Sequence, residues 1–105
     1  MSTFNSTVAC GTVDLNGTFD YTPPNPPDVT DGSVVTEYTL TSSNTTLPTT
    51  SSSSTGASVR FSITVSGNTY NFNGAYASGT GKIVGKTTPC AKADAVDDNW
   101  TASAS

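Results

Sequence analysis

The chain has 105 residues, of which 35 are Ser or Thr and 12 are charged, with no histidine and a net charge of −4. That length holds one domain, residues 1–105, because two half-sized cores would each bury too little surface to fold unaided; its 24 large apolar or aromatic residues fill one thin core without a wide ligand cavity. Arg60, Lys82, Lys86 and Lys92 are the only cations, which argues against nucleic acid or an anionic membrane surface as partner, and no run nears the ~20 apolar residues of a membrane span.

Cys10 stands near the start of the chain and Cys90 near its end. An even cysteine count in a small Ser/Thr-rich chain predicts a Cys10–Cys90 disulfide and a secreted or cell-surface setting. Closing a loop of nearly the whole domain, such a bond contributes up to about 4 to 5 kcal/mol in the chain-entropy model. No charged-then-apolar leader precedes Cys10.

Residues 11–15 and 18–21 flank Asn16-Gly17, the favoured dipeptide of a tight hairpin. A two-residue loop, however, sets Val13 and Leu15 opposite Asp20 and Thr18. A three-residue loop or a bulge restores the apolar match but places Asp14 opposite Asp20. Strands in separate sheets would remove the conflict. Pro23-Pro24-Asn25-Pro26-Pro27 cannot donate to a ladder at four of its five positions, so it reads as an extended connection. Its two overlapping P-x-x-P matches have no basic residue beside them and read as structural. Residues 34–40 are expected to form a strand, and 41–57, almost all Ser, Thr, Asn, Pro and Gly, a long flexible loop.

The clearest element is Val59-Arg60-Phe61-Ser62-Ile63-Thr64-Val65, which alternates strictly and is followed after Ser66-Gly67-Asn68 by a second alternating run to Tyr76. A turn at Gly67-Asn68 sets Val65 opposite Tyr70, Ile63 opposite Phe72, Phe61 opposite Gly74 and Val59 opposite Tyr76, all on one face. Ile83 and Val84 form a short strand, and 91–100 fits either a short helix or a last strand. Six or seven strands separated by turn signals predict an all-β fold: a small antiparallel β-sandwich, Ig-like in general layout, with a small β-barrel as the alternative.

Several motifs point toward chemistry, each beside a plainer explanation. Sequons occur at Asn5, Asn16, Asn44 and Asn99, but eight asparagines in a chain one-third Ser/Thr give about three by chance. Asp14 and Asp20 form a carboxylate pair of the kind glycosidases use, yet turn-flanking aspartates are ordinarily turn and surface residues. With no histidine and both cysteines bridged, the usual bases and nucleophiles are missing, and the chain reads as non-catalytic. Asp94, Asp97, Asp98 and Asn99 cluster oxygens that suit calcium, without the spacing or glycine of an EF-hand; a solvated acidic segment is the simpler account, and no cofactor is expected.

The outer face of the central hairpin, with Thr64 opposite Asn71 and Ser62 opposite Asn73, is a ladder of neutral donors and acceptors. It suits sugar hydroxyls, with Asn99 and Trp100 adding a polar group and an aromatic platform, although a wet sheet face must be polar in any case and Trp100 is equally suited to plug the core. The leading expectation is therefore a binding module for carbohydrate or a cell-surface protein through Trp100, Asn99, Asn71, Asn73 and Thr64. Two alternatives are a self-associating structural protein that pairs exposed strand edges, and a small secreted inhibitor or effector presenting 41–57.

Overall fold

The computed structural model describes residues 2–10, 13–24, 31–90 and 98–104. Within them run nine strands and no helix: β1 (Ser2–Val8), β2 (Gly17–Tyr21), β3 (Glu37–Leu40), β4 (Thr45–Pro48), β5 (Thr50–Thr55), β6 (Ser58–Val65), β7 (Asn68–Ala77), β8 (Lys82–Thr88) and β9 (Trp100–Ala104). All pairings are antiparallel, and the strands form one sheet in the order β4-β3-β2-β1-β9-β8-β7-β6-β5. Apart from β4 and β5, strands consecutive in the chain pair with each other, and β9 returns to pair with β1. The two end strands, β4 and β5, are separated only by Thr49. They act as one stave that pairs first with β3 and then with β6, which brings the sheet nearly to closure. This fits the barrel alternative, and the ladder runs through all nine strands without dividing into two sheets.

Segment 41–57, expected as a loop, holds β4 and β5 instead. Its serines and threonines bury little, as the largely exposed pattern of β5 shows, and order comes from backbone pairing to β3 and β6. Thr49 makes the switch: its N–H donates to the Thr36 carbonyl at 3.1 Å, and its Oγ1 donates to the Val35 carbonyl at 2.7 Å.

The early hairpin also differs from expectation. The partner of β2 is β1, with Phe4 opposite Phe19 and Ser2 opposite Tyr21. Residues 13–16 form a connection rather than a strand. Asn16 does not sit in a tight turn, because its Oδ1 accepts the Val8 N–H at 2.8 Å.

In the central hairpin the turn is Ser66-Gly67, with φ of 51° and 81°, and the register is Ile63 to Tyr70, Phe61 to Phe72 and Val59 to Gly74. Two left-handed residues match the twist of the flanking strands, which is why this turn wins over Gly67-Asn68. The shift from the expected register is by two residues, so every side chain keeps its face.

The barrel interior is filled with rings. Phe61 stacks on Phe72 at 4.8 Å, and Trp100 meets both edge-on at 5.7 and 5.1 Å. Phe19 links this cluster to Phe4 at 5.8 Å. Eight staves, counting β4 and β5 as one, enclose a space that side chains alone can fill. One polar chain crosses it: Trp100 Nε1–H donates to Ser6 Oγ at 2.7 Å, Ser6 lies within reach of the Tyr38 phenol, and that phenol donates to the Leu15 carbonyl at 2.6 Å. The Cys10–Cys90 disulfide, with Cα atoms 5.2 Å apart, joins the chain just beyond β1 to the chain just beyond β8. These are the two strands that flank β9.

Two predictions follow from this packing. Asn in place of Ser66 restores the preferred type I′ dipeptide, so S66N should stabilise the protein by about 0.5 to 1 kcal/mol in urea denaturation. Burial pushes the phenols of Tyr38 and Tyr21 above their ordinary value of 10.0. With folded-state values above unfolded ones, their contribution is complete below about pH 10 and is lost as pH rises through the folded values. Unfolding free energy should therefore fall on the alkaline side. Y38F should cost about 1 to 2 kcal/mol at neutral pH, because it strands the Leu15 carbonyl, while making the alkaline fall shallower.

Candidate functional site

On β6, Val59, Phe61 and Ile63 point into the barrel and Arg60, Ser62 and Thr64 point out. On β7 the outward residues are Thr69, Asn71, Asn73 and Ala75. The observed register pairs Thr64 with Thr69, Ser62 with Asn71 and Arg60 with Asn73. The polar face expected from the alternation is thus present, with each pairing moved by two residues.

The β5 side of this face is interrupted. Thr50 pairs with Ser62 and Ser53 with Arg60, so three steps along β5 match two along β6, and the extra residue makes a bulge in which Ser51 has φ of 53°. A bulge bends its strand and breaks the ladder locally. Here it borders a shallow groove of about 230 Å³ lined by Ser51, Arg60, Ser62, Asn71 and Asn73, with Phe61 and Phe72 beneath. Ser62, almost fully buried, donates through Oγ to Asn71 Oδ1 at 2.6 Å. That bond fixes the Asn71 amide and leaves its Nδ2 as a donor. Asn73 and Arg60 hold no side-chain hydrogen bond among the described residues, so the groove presents an amide and a guanidinium not committed to other described groups.

The remaining sequence candidates lie elsewhere. Thr64 is on the same face but beyond the groove, its hydroxyl 3.2 Å from that of Thr69. Trp100 is fully buried in the barrel and takes the core-plug role, so it offers no stacking platform. Asn99 extends the ladder with its side chain: Oδ1 accepts the Thr87 N–H at 2.7 Å and Nδ2 donates to the Thr87 carbonyl at 3.1 Å. Its amide is therefore committed to the fold, neither poised for a ligand nor open as a sequon.

Of the other sequon asparagines, Asn5 and Asn44 are exposed, and Asn16 is tied to Val8. Asp14 Oδ1 accepts the Asn16 N–H at 3.2 Å, and Asp20 Oδ1 accepts from Thr3 Oγ1 at 2.9 Å, so both act as turn and surface residues. Asp94, Asp97 and the proline segment beyond Pro24 lie outside the described residues. Among the described residues, no group of three or more potential metal-ligating side chains is gathered.

Sequence reasoning missed Ser51, and it set Ser62 on the polar face of the hairpin without naming it or Arg60 among the binding residues. A run of four serines, Ser51 to Ser54, has no alternation from which to read a bulge. The signal for Arg60 was in the charge order: no acidic residue occurs between Glu37 and Asp94, and all four cations fall in that interval.

No protein-family model matches the chain, and no curated protein and no solved structure is similar to it at a significant level.

The two kinds of asparagine should separate by mutation. N99A removes both bonds to Thr87 and should cost about 1 to 3 kcal/mol of stability. N73A sits on the wet face and should stay within about 0.5 kcal/mol of the parent, while N71A, which takes the acceptor from the nearly buried Ser62 hydroxyl, should cost about 1 kcal/mol. Urea unfolding of the three variants, compared with the parent, checks this difference.

Proposed function

We propose that the protein is a non-catalytic extracellular binding module that holds a carbohydrate, free or displayed on a cell-surface partner, in the groove across β5, β6 and β7. The observation that carries this reading is the juxtaposition in one concavity of Ser51, Ser62, Asn71 and Asn73, neutral donors and acceptors, with the fork of Arg60 beside them. Sugar hydroxyls need that mixture, because each both donates and accepts. The filled interior supports an outer-surface site, since a ring-packed barrel has no lumen for a ligand. The Cys10–Cys90 bridge is compatible with an oxidising compartment.

The groove lies below the ~300 Å³ at which enclosed ligand pockets begin, and its exposed lining has no aromatic ring. It therefore suits a single sugar unit of a longer glycan, bound by hydrogen bonds alone with Kd on the order of 1 mM, about −4 kcal/mol. The two other readings have less structural support. Edge pairing between copies would have to use β4 and β5, the two terminal strands, which are short and largely exposed Ser/Thr stretches of one continuous segment, and the segment meant to present itself as a loop is mostly strand.

Titration of the oxidised, isotope-labelled protein with a panel of neutral and acidic oligosaccharides, followed by NMR, tests the reading. Shifts should concentrate at Ser51, Arg60, Ser62, Asn71 and Asn73. N71A and N73A should each weaken binding by roughly fivefold, the ~1 kcal/mol of one net hydrogen bond. If no member of the panel perturbs these residues at tens of millimolar, the reading is wrong.

A further inference from the structure

The fold treats the four sequons of the chain differently. Asn5 lies in the middle of β1, with Thr18 of β2 opposite it on one side and Ser103 of β9 on the other, and the next residue, Ser6, holds the Trp100 indole inside the barrel. Asn16 accepts the Val8 N–H, and the third residue of its sequon, Thr18, is fixed between Asn5 and Thr39. Asn99 commits both ends of its amide to Thr87, and Thr101, which completes its sequon, is fixed between Thr7 and Val84. Asn44 differs at each of these points. It is the last residue of the exposed turn 41–44 between β3 and β4, with φ of 51°, a left-handed position that Asn occupies more readily than most residues. Its side chain is exposed and makes no hydrogen bond to a described residue. Thr45 and Thr46 complete the sequon and are exposed as well, and β4, on which they lie, pairs only with β3 among the described strands.

We propose that Asn44 is the N-glycan acceptor of this domain. The inference rests on the extracellular part of the reading above and not on the groove. An oligosaccharyltransferase must draw the sequon into its own active site and reach the amide nitrogen, so an acceptor needs an uncommitted amide and a backbone that can leave its neighbours. In the reaction, Nδ2 of Asn44 bonds to the anomeric carbon of an oligosaccharide carried on a lipid pyrophosphate. The bond from that carbon to the pyrophosphate oxygen breaks, the lipid pyrophosphate departs with the electron pair, and the amide gives up one proton to a base of the transferase. Freeing Asn44 to Thr46 opens the end of a single ladder. Freeing any of the other three sequons breaks a strand held on both sides, which demands a larger opening of the fold. Thr46 Oγ1, 2.9 Å from Thr39 Oγ1, is on the outer surface where the transferase can read it. A glycan on Asn44 stands beside β4, at the end of the sheet, and hinders strand addition by other chains.

The test incubates the folded, oxidised protein with a purified single-subunit oligosaccharyltransferase and a lipid-linked oligosaccharide, and follows each sequon by mass spectrometry of its peptides, with the reduced and alkylated chain run beside it. In the folded protein Asn44 should be modified at least about tenfold faster than Asn5, Asn16 or Asn99, and in the alkylated chain that preference should narrow. N44Q and T46A should each abolish modification of the folded protein, and T46S should keep part of it. The glycosylated protein should unfold in urea at the same midpoint as the bare one. A folded protein left bare at Asn44, or modified as fast at another sequon, would overturn the proposal while leaving the groove reading standing. Sugar titrations that leave the groove unperturbed would overturn the groove reading and leave Asn44 standing, because accepting a glycan uses no residue of β5, β6 or β7.

Discussion

The barrel depends on room for one indole. Trp100 is the largest buried side chain, and it enters from the first position of β9, between β1 and β8. Gly85 is its cross-strand partner and Gly74 is the partner of Gly85. A Cβ at Gly74 would lie 2.9 Å from the indole, so that inward position is left without a side chain, and a Cβ at Gly85 would collide with the backbone of Asn73 and Gly74, so β7 and β8 approach closely there. In that space Phe61 and Phe72 lie perpendicular to the indole, an arrangement worth about 0.5 to 1.5 kcal/mol per pair beyond the area buried. Ser6 then answers the one polar atom that the indole brings inside. An unpaired N–H there would cost on the order of 1 to 3 kcal/mol, which explains a serine on the inner face of β1 among Phe4 and Val8. Hydrophobic filling and polar satisfaction thus meet at the same residue.

From this centre the constraint passes outward. A sheet wrapped around a fixed bundle of rings must close at a fixed circumference, and the chain does so by letting one stave change partners at Thr49. The change of partner brings the two ends of the nine-stranded ladder together in one stretch of chain, so that the sheet is nearly closed. It is followed within a few residues by the Ser51 bulge, and that bulge borders the groove on the outer face. The groove is therefore a consequence of how the barrel closes, which explains its position over β5, β6 and β7 rather than elsewhere on the outer face.

What the sequence made legible follows the strength of its alternation. Residues 58–65 and 68–77 alternate cleanly, and their pairing, their buried face and their polar face could all be read, with an error of one residue in the turn and two in the register because Ser66 was not expected at positive φ. The N-terminal strand was missed because Ser6, one of its three inward residues, is polar and reads as surface until Trp100 is known to donate to it. Strands β4 and β5 were missed because a Ser/Thr run looks the same on both faces and gains its order from neighbours far away in sequence. The candidate site was half legible for the same reasons. Asn71 and Asn73 come from the alternating hairpin, whereas Ser51 depends on a bulge and Arg60 on charge segregation that only the cross-strand register turns into a surface. Asn99 was misread in the opposite sense: a side chain that looks poised for a ligand is committed to the backbone of Thr87.

A barrel filled in this way limits where specificity can arise. Inner positions are held by rings whose volumes fit one another, and substitution there is felt as strain or cavity rather than as a change of partner. The outer positions of β5 to β8 carry no carboxylate, and the described acids Asp14, Asp20, Asp31, Glu37 and Asp98 lie in other parts of the chain. On such a surface hydroxyls and amides are interchangeable and discriminate weakly, since each can donate to or accept from many groups. A charged side chain among them, such as Arg60, is not interchangeable with its surroundings. Any discrimination on the outer face therefore has to come from the few positions that differ from the uncharged Ser, Thr and Asn around them.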